Sequence, residues 1–114
     1  MPFINSKVNV PLSDEAKEVL KTKLGQAISL IPGKSENWLM VNLEDDCSLY
    51  FKGKNNTKMA IIEVKIFGHA TDRDYDRLTE EISKIYRDVV GISQDKIYIK
   101  YEEVEHWGWN GTNF

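Results

Sequence analysis

Apolar positions follow two different spacings that alternate along the chain. Residues 2–10 and 59–67 are rich in β-forming residues and alternate between apolar and polar side chains, which predicts two strands. Over residues 13–31, and again around residues 78–89, apolar residues recur every three or four positions and predict amphipathic helices. Residues 38–43 and 97–101 return to the strand pattern. The predicted order of elements is therefore two consecutive strand-helix-strand units.

The two halves of the chain also match each other residue by residue. At an offset of 58 residues, Leu24 falls on Ile82 and Gly33 falls on Gly91. Matching glycines mark structural boundaries, so they are harder to obtain by chance than apolar matches. We therefore predict one domain, residues 1–114, with internal repeats at about 1–46 and 59–104.

Each predicted helix carries signals at its ends. Thr71, followed three residues later by Asp74, fits a capping box at the start of the second helix. Gly33 and Gly91 stand where the left-handed residue that closes a helix is expected. Strands joined through a helix run parallel with a right-handed crossover. Two such units side by side predict an α+β two-layer sandwich, a four-stranded mixed sheet with both helices on one face.

The face of the predicted sheet that points away from the helices is unusually apolar. It carries several large apolar side chains: Phe3, Trp38, Met40, Met59, Ile61, Phe67 and Tyr98. Polar residues are mixed among them: Asn5, Lys7, Glu63, Lys65 and Lys100. An apolar face of this extent is rarely left in water. We expect self-association to cover it, with the polar residues lining a wetter interior or a site between subunits.

Composition narrows the class of protein. The chain has 114 residues, of which 41% are hydrophobic and 29% charged, as in an ordinary globular domain. Its net charge of −3 gives no reason to expect nucleic acid as a partner. The single cysteine, Cys47, can form neither an internal disulfide nor a cysteine-cluster metal site. With neither a leader pattern nor a membrane-spanning stretch, we expect a cytoplasmic protein, although export without a leader leaves no mark in a sequence.

The residues most able to carry chemistry lie at the amino terminus. No P-loop, dinucleotide fingerprint, metal-binding histidine pair or nucleophile elbow is present. Pro2 follows Met1, and an initiator methionine is normally removed before a small residue such as proline. The exposed secondary amine would have a pKa near neutrality and could act as a general base. Many proteins begin Met-Pro without any catalytic role, so this pattern alone is a weak signal.

Motifs spread over the whole chain resemble the macrophage migration inhibitory factor family of the tautomerase superfamily. They are Met-Pro-Phe-Ile at the start, Asn9-Val10-Pro11, Gly33-Lys34, residues 51–68, residues 95–99 and Gly108-Trp109-Asn110. The resemblance implies a homotrimer of paired β-α-β units. It also implies a cofactor-free isomerase without a metal: a keto-enol tautomerase of the phenylpyruvate or dopachrome type, acting on a small 2-oxo carboxylate.

The same resemblance implies roles for individual residues. Pro2 would be the base, and Lys34 would bind the substrate carboxylate together with the backbone amide of Phe67. Taken alone, Lys34 is better interpreted as a lysine at a helix end, where the helix dipole favours a positive charge. Tyr98 would reach the site from a neighbouring subunit. Phe3 completes the expected substrate-binding residues near the base.

Several positions depart from the family pattern or extend it. Lys100 stands where well-known members have asparagine, and Trp38 replaces a tyrosine of the pocket, so we expect a more cationic site of different shape. Lys100 could instead be a solvated strand residue. Trp109 is expected at the pocket rim and Trp107 at a subunit interface. Residues 59–62 lack the family's Cys-x-x-Cys, so a thiol-oxidoreductase activity should be absent.

A second function from another class stays open. The resemblance also allows a cytokine-like trimer, secreted without a leader, that engages a protein receptor through its outer surface while its tautomerase activity is vestigial. Nothing in the sequence favours secretion, and neither reading implies a membrane or nucleic-acid partner.

Overall fold

In the computed structural model, which describes residues 1–114, a four-stranded sheet is covered on one face by two helices. The elements, in chain order, are β1 (Pro2–Val8), α1 (Asp14–Ala27), β2 (Met40–Glu44), β3 (Ala60–Phe67), α2 (Asp72–Val90) and β4 (Ile97–Val104). The sheet order is β2-β1-β3-β4, with β1 and β3 antiparallel and each edge strand parallel to its neighbour. The predicted α+β sandwich with a mixed sheet is confirmed. Neither helix is both long enough and apolar enough to cross a membrane.

The core lies between the sheet and the helices and contains the alternating positions that the sequence predicts. Its fully buried members include Ile4, Val8, Leu20, Leu24, Ile62, Val64, Ile66, Leu78 and Ile82. Ser6 is the one polar side chain on the buried face of β1, and it accepts a hydrogen bond of 2.6 Å from the hydroxyl of Tyr86 on α2. That bond satisfies both buried hydroxyl groups and ties α2 to the first strand.

The ends of the second helix agree with the prediction. The side chain of Thr71 accepts from the Asp74 amide, and the Asp74 carboxylate accepts from the Thr71 amide, so the capping box is confirmed. Gly91 closes α2 in the left-handed conformation at φ 78°, and its amide donates to Arg87.

The predicted role of Gly33 as a helix cap is wrong. α1 ends at Ala27 and is followed by a short 3-10 turn, Ile28–Leu30. Gly33 has a φ of 81° because it follows Pro32 in a tight turn, in which the Lys34 amide donates to the Ile31 carbonyl at 3.0 Å. Gly33 and Gly91 therefore share a left-handed backbone conformation, but Gly91 closes a helix whereas Gly33 lies in a turn.

Two further boundaries differ from the prediction. Residue 38 was expected in a strand, but Trp38 ends a 3-10 turn, Glu36–Trp38, and β2 begins only at Met40. Local bonds hold this turn, because the Trp38 amide donates to Ser35 and the Leu39 amide to Glu36. Near the carboxyl terminus, a small hairpin that the sequence analysis did not predict joins β5 (Gly108–Trp109) to β6 (Thr112–Asn113).

Candidate active site

The amino terminus lies where three elements of the sheet meet. Pro2 opens β1 and pairs with Ile66 near the end of β3, while Phe3 pairs with Met40 at the start of β2. The order of strands therefore brings together the beginning of β1, the end of β3 and the segment that leads into β2. The predicted base stands at this junction.

Lys34 reaches the same junction from the turn after α1. Its ammonium donates a hydrogen bond of 2.7 Å to the carbonyl of Phe67, the last residue of β3. Partial burial, followed by the positive charge of Lys34 and a hydrogen bond with it, lowers the pKa of the Met1 α-amino group below its ordinary value of 8.0. Lys34 is thus beside both the amino terminus and the end of β3.

Met1 occupies part of this junction. Its carbonyl oxygen accepts a hydrogen bond of 3.0 Å from the Phe67 amide, and Pro2 is buried behind it. While Met1 is attached, the nitrogen of Pro2 belongs to a peptide bond and cannot accept a proton. Three predicted site residues, Pro2, Lys34 and the Phe67 backbone, are therefore brought together, with Met1 lying among them.

A mostly apolar cavity of about 510 Å³ opens beside the amino terminus. Four of the predicted site residues line it: Pro2, Phe3, Trp38 and Trp109. The other lining residues were not predicted from the sequence to belong to a pocket: Met1, Asn37, Leu39, Met40, Trp107 and Gly108. Residues 37–40 could have been predicted to line the pocket from their position between the Gly33 turn and β2. This position places their backbone at the edge of the sheet.

One wall of the site is a row of aromatic rings. The rings of Trp38 and Trp109 meet edge to face at 5.1 Å, and Trp109 stacks on Phe114 at 6.4 Å. Phe114 in turn lies 5.6 Å from the ring of Phe67. The hairpin turn has left-handed φ values at Asn110 and Gly111, so an Asn-Gly pair, a known hairpin signal, could have revealed it.

Tyr98 lies away from this junction within one chain. It pairs with Ile61, five residues before Ile66 on β3, which separates it from Pro2 by about 17 Å along the strand. Tyr98 is 61% exposed, and its ring meets that of Phe51 edge to face at 5.5 Å. A small apolar cavity of about 120 Å³ lies beside these two rings. A single chain therefore does not bring Tyr98 to the base.

Lys100 is balanced by acidic neighbours. Its ammonium lies 3.1 Å from the Glu102 carboxylate and 3.7 Å from that of Glu63. The hydrogen bond with Glu102 and the two negative charges raise the pKa of Lys100 above its ordinary value of 10.5. Within one chain, Lys100 thus adds little unbalanced positive charge.

A polar row crosses the exposed face of the sheet at the level of Lys100. The Asn42 amide group donates to the Asn5 side-chain oxygen at 2.9 Å, and Asn5 donates to Glu63 at 3.0 Å. Partial burial opposes ionisation of Glu63, but the Asn5 hydrogen bond and nearby lysines outweigh it and lower its pKa below 4.5. These residues face each other in adjacent strands, so the row fixes the strand register on this face.

The fold and the site define a class: small α+β proteins built from two β-α-β units, with the amino-terminal strand opening into a pocket. The family profile of macrophage migration inhibitory factor (MIF) matches residues 1–114, and the chain belongs to this family. The resemblance predicted from the sequence is thereby confirmed. One solved structure that shares this fold is an asymmetric trimer of a fused 4-OT, 16% identical with a TM-score of 0.82 over 97% of this chain and 94% of that one.

Solved structures of MIF homologues superpose over nearly the whole chain. MIF2 of Leishmania major is 30% identical with a TM-score of 0.92, over 100% of this chain and 97% of that one. A homologue from Prochlorococcus marinus is 30% identical with a TM-score of 0.87, over 98% of each chain. The MIF-like protein of Entamoeba histolytica is 20% identical with a TM-score of 0.87, over 99% of this chain and 98% of that one. Among curated proteins, no sequence matches significantly.

Proposed function

We propose that this protein is a cofactor-free keto-enol tautomerase for a small aryl 2-oxo carboxylate of the phenylpyruvate type. Pro2, freed by removal of Met1, is the general base. Lys34 and the Phe67 amide bind the carboxylate. The observation that carries the proposal is the pair of contacts that Met1 makes at this junction.

Met1 marks the place of the substrate carboxylate. Its carbonyl oxygen accepts from the Phe67 amide, and its amino group lies beside the Lys34 ammonium. Removal of Met1 leaves that amide without its partner and exposes a cation next to it. An amide donor and an ammonium pointing into one space suit a carboxylate, which accepts hydrogen bonds through both oxygens.

The same removal converts the Pro2 nitrogen from an amide into a secondary amine. In the reaction this amine takes a proton from the carbon next to the 2-oxo group, and the electron pair of the C–H bond forms the enolate. The protonated amine then gives a proton to the 2-oxo oxygen, which completes the enol and regenerates the free amine, and the reverse sequence restores the ketone. The bound carboxylate holds the reacting carbon near the amine, which is the contribution of positioning.

The walls of the cavity support an aryl substrate. Phe3, Trp38 and Trp109 line the cavity next to Pro2. Flat rings pack well against a ring in edge-to-face or offset arrangements. The 510 Å³ volume lies within the usual range of small-molecule pockets.

A homotrimer would complete the site. Tyr98 is 61% exposed and Met40 is 71% exposed, both on the sheet face that the helices leave uncovered. Because Tyr98 lies about 17 Å from Pro2 along the strand, it can contribute only from a neighbouring subunit. Lys100, two residues further along the same strand, would follow Tyr98 to that boundary.

The test compares three preparations whose amino termini are established by intact mass. They are the processed protein that begins at Pro2, the same protein with one glycine added before Pro2, and Pro2→Gly. Phenylpyruvate tautomerisation should be found in the first and should fall at least about a hundredfold in the other two. Equal activity in the glycine-extended protein would contradict the proposal, because its Pro2 nitrogen is an amide.

A further inference from the structure

The small hairpin of β5 and β6 lies at the side of the substrate cavity without joining the four-stranded sheet. Its backbone hydrogen bonds run between its own strands and from the Phe114 amide to the Trp107 carbonyl, at 3.1 Å. No backbone hydrogen bond connects it to the sheet or to the helices. All four of its strand residues are exposed, so little buried apolar surface holds it in place. Within one chain, its position therefore depends on individual side-chain contacts.

Two pairs of aromatic rings connect the hairpin to the rest of the chain. Trp109 meets Trp38 edge to face at 5.1 Å, beside the cavity. Phe114, which follows β6, lies 5.6 Å from the ring of Phe67 at the end of β3, with the two planes inclined by 38°. The same Phe114 ring stacks on Trp109, with centroids 6.4 Å apart and planes within 10° of parallel. Phe67 therefore supports Trp109 through Phe114.

The ring of Phe67 and its backbone have different partners. The backbone amide donates to the Met1 carbonyl, and the backbone carbonyl accepts from Lys34. The ring instead meets Phe114, and neither of these two rings lines the substrate cavity, whereas Trp109 does. A change of side chain at residue 67 therefore leaves the amide donor of the proposed carboxylate site in place and removes only the support that the ring provides.

We propose that Phe67 and Phe114 are positioning residues that hold Trp109 against the aryl group of the substrate and thereby favour aryl over aliphatic 2-oxo carboxylates. Packed aromatic rings attract each other beyond what their buried area provides, so an apolar side chain without a ring supports Trp109 less well. The consequence for substrate preference rests on the proposed function, because it takes this cavity as the substrate site. The position of Trp109 does not depend on it.

The test is a double-mutant cycle with Phe67→Leu, Phe114→Leu and the combined variant. Phe67→Tyr is the matched control, because it keeps a ring at the same position. Steady-state kinetics are measured with phenylpyruvate and with 2-oxohexanoate, an aliphatic 2-oxo carboxylate. The indole N–H signal of Trp109 in a ¹H–¹⁵N spectrum, assigned with Trp109→Phe, reports the hairpin without any substrate. Sedimentation at the assay concentration ensures that the proteins compared share one oligomeric state.

Phe67→Leu should raise KM for phenylpyruvate about fivefold with kcat nearly unchanged, since the base and the carboxylate anchor keep their places. KM for 2-oxohexanoate should change less than about twofold, because this substrate has no ring to pack against Trp109. The Trp109 signal should shift. Phe114→Leu and the combined variant should match Phe67→Leu in KM and in the signal, because all three break the same contact. Phe67→Tyr should stay near wild type.

Three results would overturn the inference. The first is a wild-type Trp109 signal in Phe67→Leu. The second is an equal rise in KM for both substrates, which would indicate general loosening of the fold. The third is a combined variant whose rise in KM is the product of the two single ones, since the two rings would then act separately. If Phe67→Leu does not fold, Phe114→Leu decides, because Phe114 is 55% exposed. A wild-type protein without phenylpyruvate activity would count against the proposed function alone, because the Trp109 signal still decides on the positioning residues.

Discussion

The two β-α-β units share one pattern of buried residues but join their helix to the following strand in different ways. In the second unit, Gly91 closes α2 and the connection to β4 spans only residues 91–96. In the first unit, the connection from α1 to β2 spans residues 28–39 and contains two 3-10 turns. The first connection carries Lys34 and Trp38, while the second carries no residue that lines the cavity at Pro2.

This difference separates the residues that form the fold from those that form the site. The buried faces of both units are equivalent, because both must cover the same sheet. The candidate site lies where the first unit differs from the second: in a longer connection, and in a strand that begins at the amino terminus. Substitutions in the buried face of either unit should therefore lower the stability of the fold. Substitutions in the connection from α1 to β2 should instead change activity.

The largest effect is expected in the core. Leu24 and Ile82 occupy equivalent positions in the two helices, and both are fully buried. Replacing either with alanine should lower the free energy of unfolding by about 2–5 kcal/mol, because the change removes apolar contacts and leaves a cavity. Denaturant unfolding at one fixed protein concentration measures both variants.

The matched control for the core variants is Val19→Ala, since Val19 is on α1 but 41% exposed. Its cost should be within about 0.5 kcal/mol. A large cost for one core variant and almost none for the other would show that the two units do not share a single core.

The next largest effect is expected on activity, which should depend on the connection of the first unit. Lys34→Ala should lower kcat/KM for phenylpyruvate about a hundredfold, because it removes the charged partner of the carboxylate. Lys23→Ala, an exposed lysine of the same unit, is the control and should stay near wild type. An unchanged kcat/KM in Lys34→Ala would remove the basis for placing the site in the first connection.

The pH dependence of the same variant tests the electrostatic coupling. In the proposed mechanism the Pro2 amine acts in its deprotonated form, so kcat/KM should rise with pH through the pKa of that amine. Burial and the Lys34 charge hold the pKa of an amino group at this junction below 8.0. Loss of Lys34 removes one of these causes and should move the rising limb to higher pH. A limb that moves to lower pH would contradict the coupling.

The fold could be predicted from the sequence because its signals are local and repeated. Thr71 and Asp74 are three residues apart, and the alternation in β3 spans eight residues, so each pattern determines its own element. The predicted cap at Gly33 was wrong because a left-handed glycine has the same sequence signal in a helix cap and in a Pro-Gly turn. The two roles differ in how far the glycine lies from the helix: Gly91 follows α2 directly, whereas Gly33 lies beyond the 3-10 turn that follows α1.

The site was harder to predict because its residues meet through the strand order. Phe114 and Phe67 are distant in the chain, and their contact depends on the small hairpin that folds back over the site. Proximity of Lys34 to the amino terminus followed from the family resemblance, since no local pattern links residues that far apart.

A smaller effect on stability is expected at the two glycines with left-handed backbone conformation, Gly33 and Gly91. Gly33→Ala and Gly91→Ala should each lower stability by about 1–2 kcal/mol, because both positions have a positive φ. Only Gly33→Ala should also raise KM for phenylpyruvate, since Lys34 follows it directly. Thermal unfolding and kinetics on both variants test this. A raised KM in Gly91→Ala of the same size would show that the effect reflects general loosening of the fold.

The smallest effect on stability is expected at the first residues of the two helices. Thr71 takes part in two reciprocal hydrogen bonds with Asp74, whereas Ser13 accepts one, from the Ala16 amide at 3.1 Å. Thr71→Ala removes the hydroxyl acceptor and leaves the bond from the residue 71 amide to Asp74 without its reciprocal partner, so it should cost about 1 kcal/mol in the free energy of unfolding. Ser13→Ala removes a single unreciprocated bond and should cost about 0.5 kcal/mol. Thr71→Ser is the control, because it keeps the hydroxyl and should unfold close to wild type. A larger loss in Ser13→Ala than in Thr71→Ala would mean that the start of α1, and not that of α2, is the better stabilised helix end.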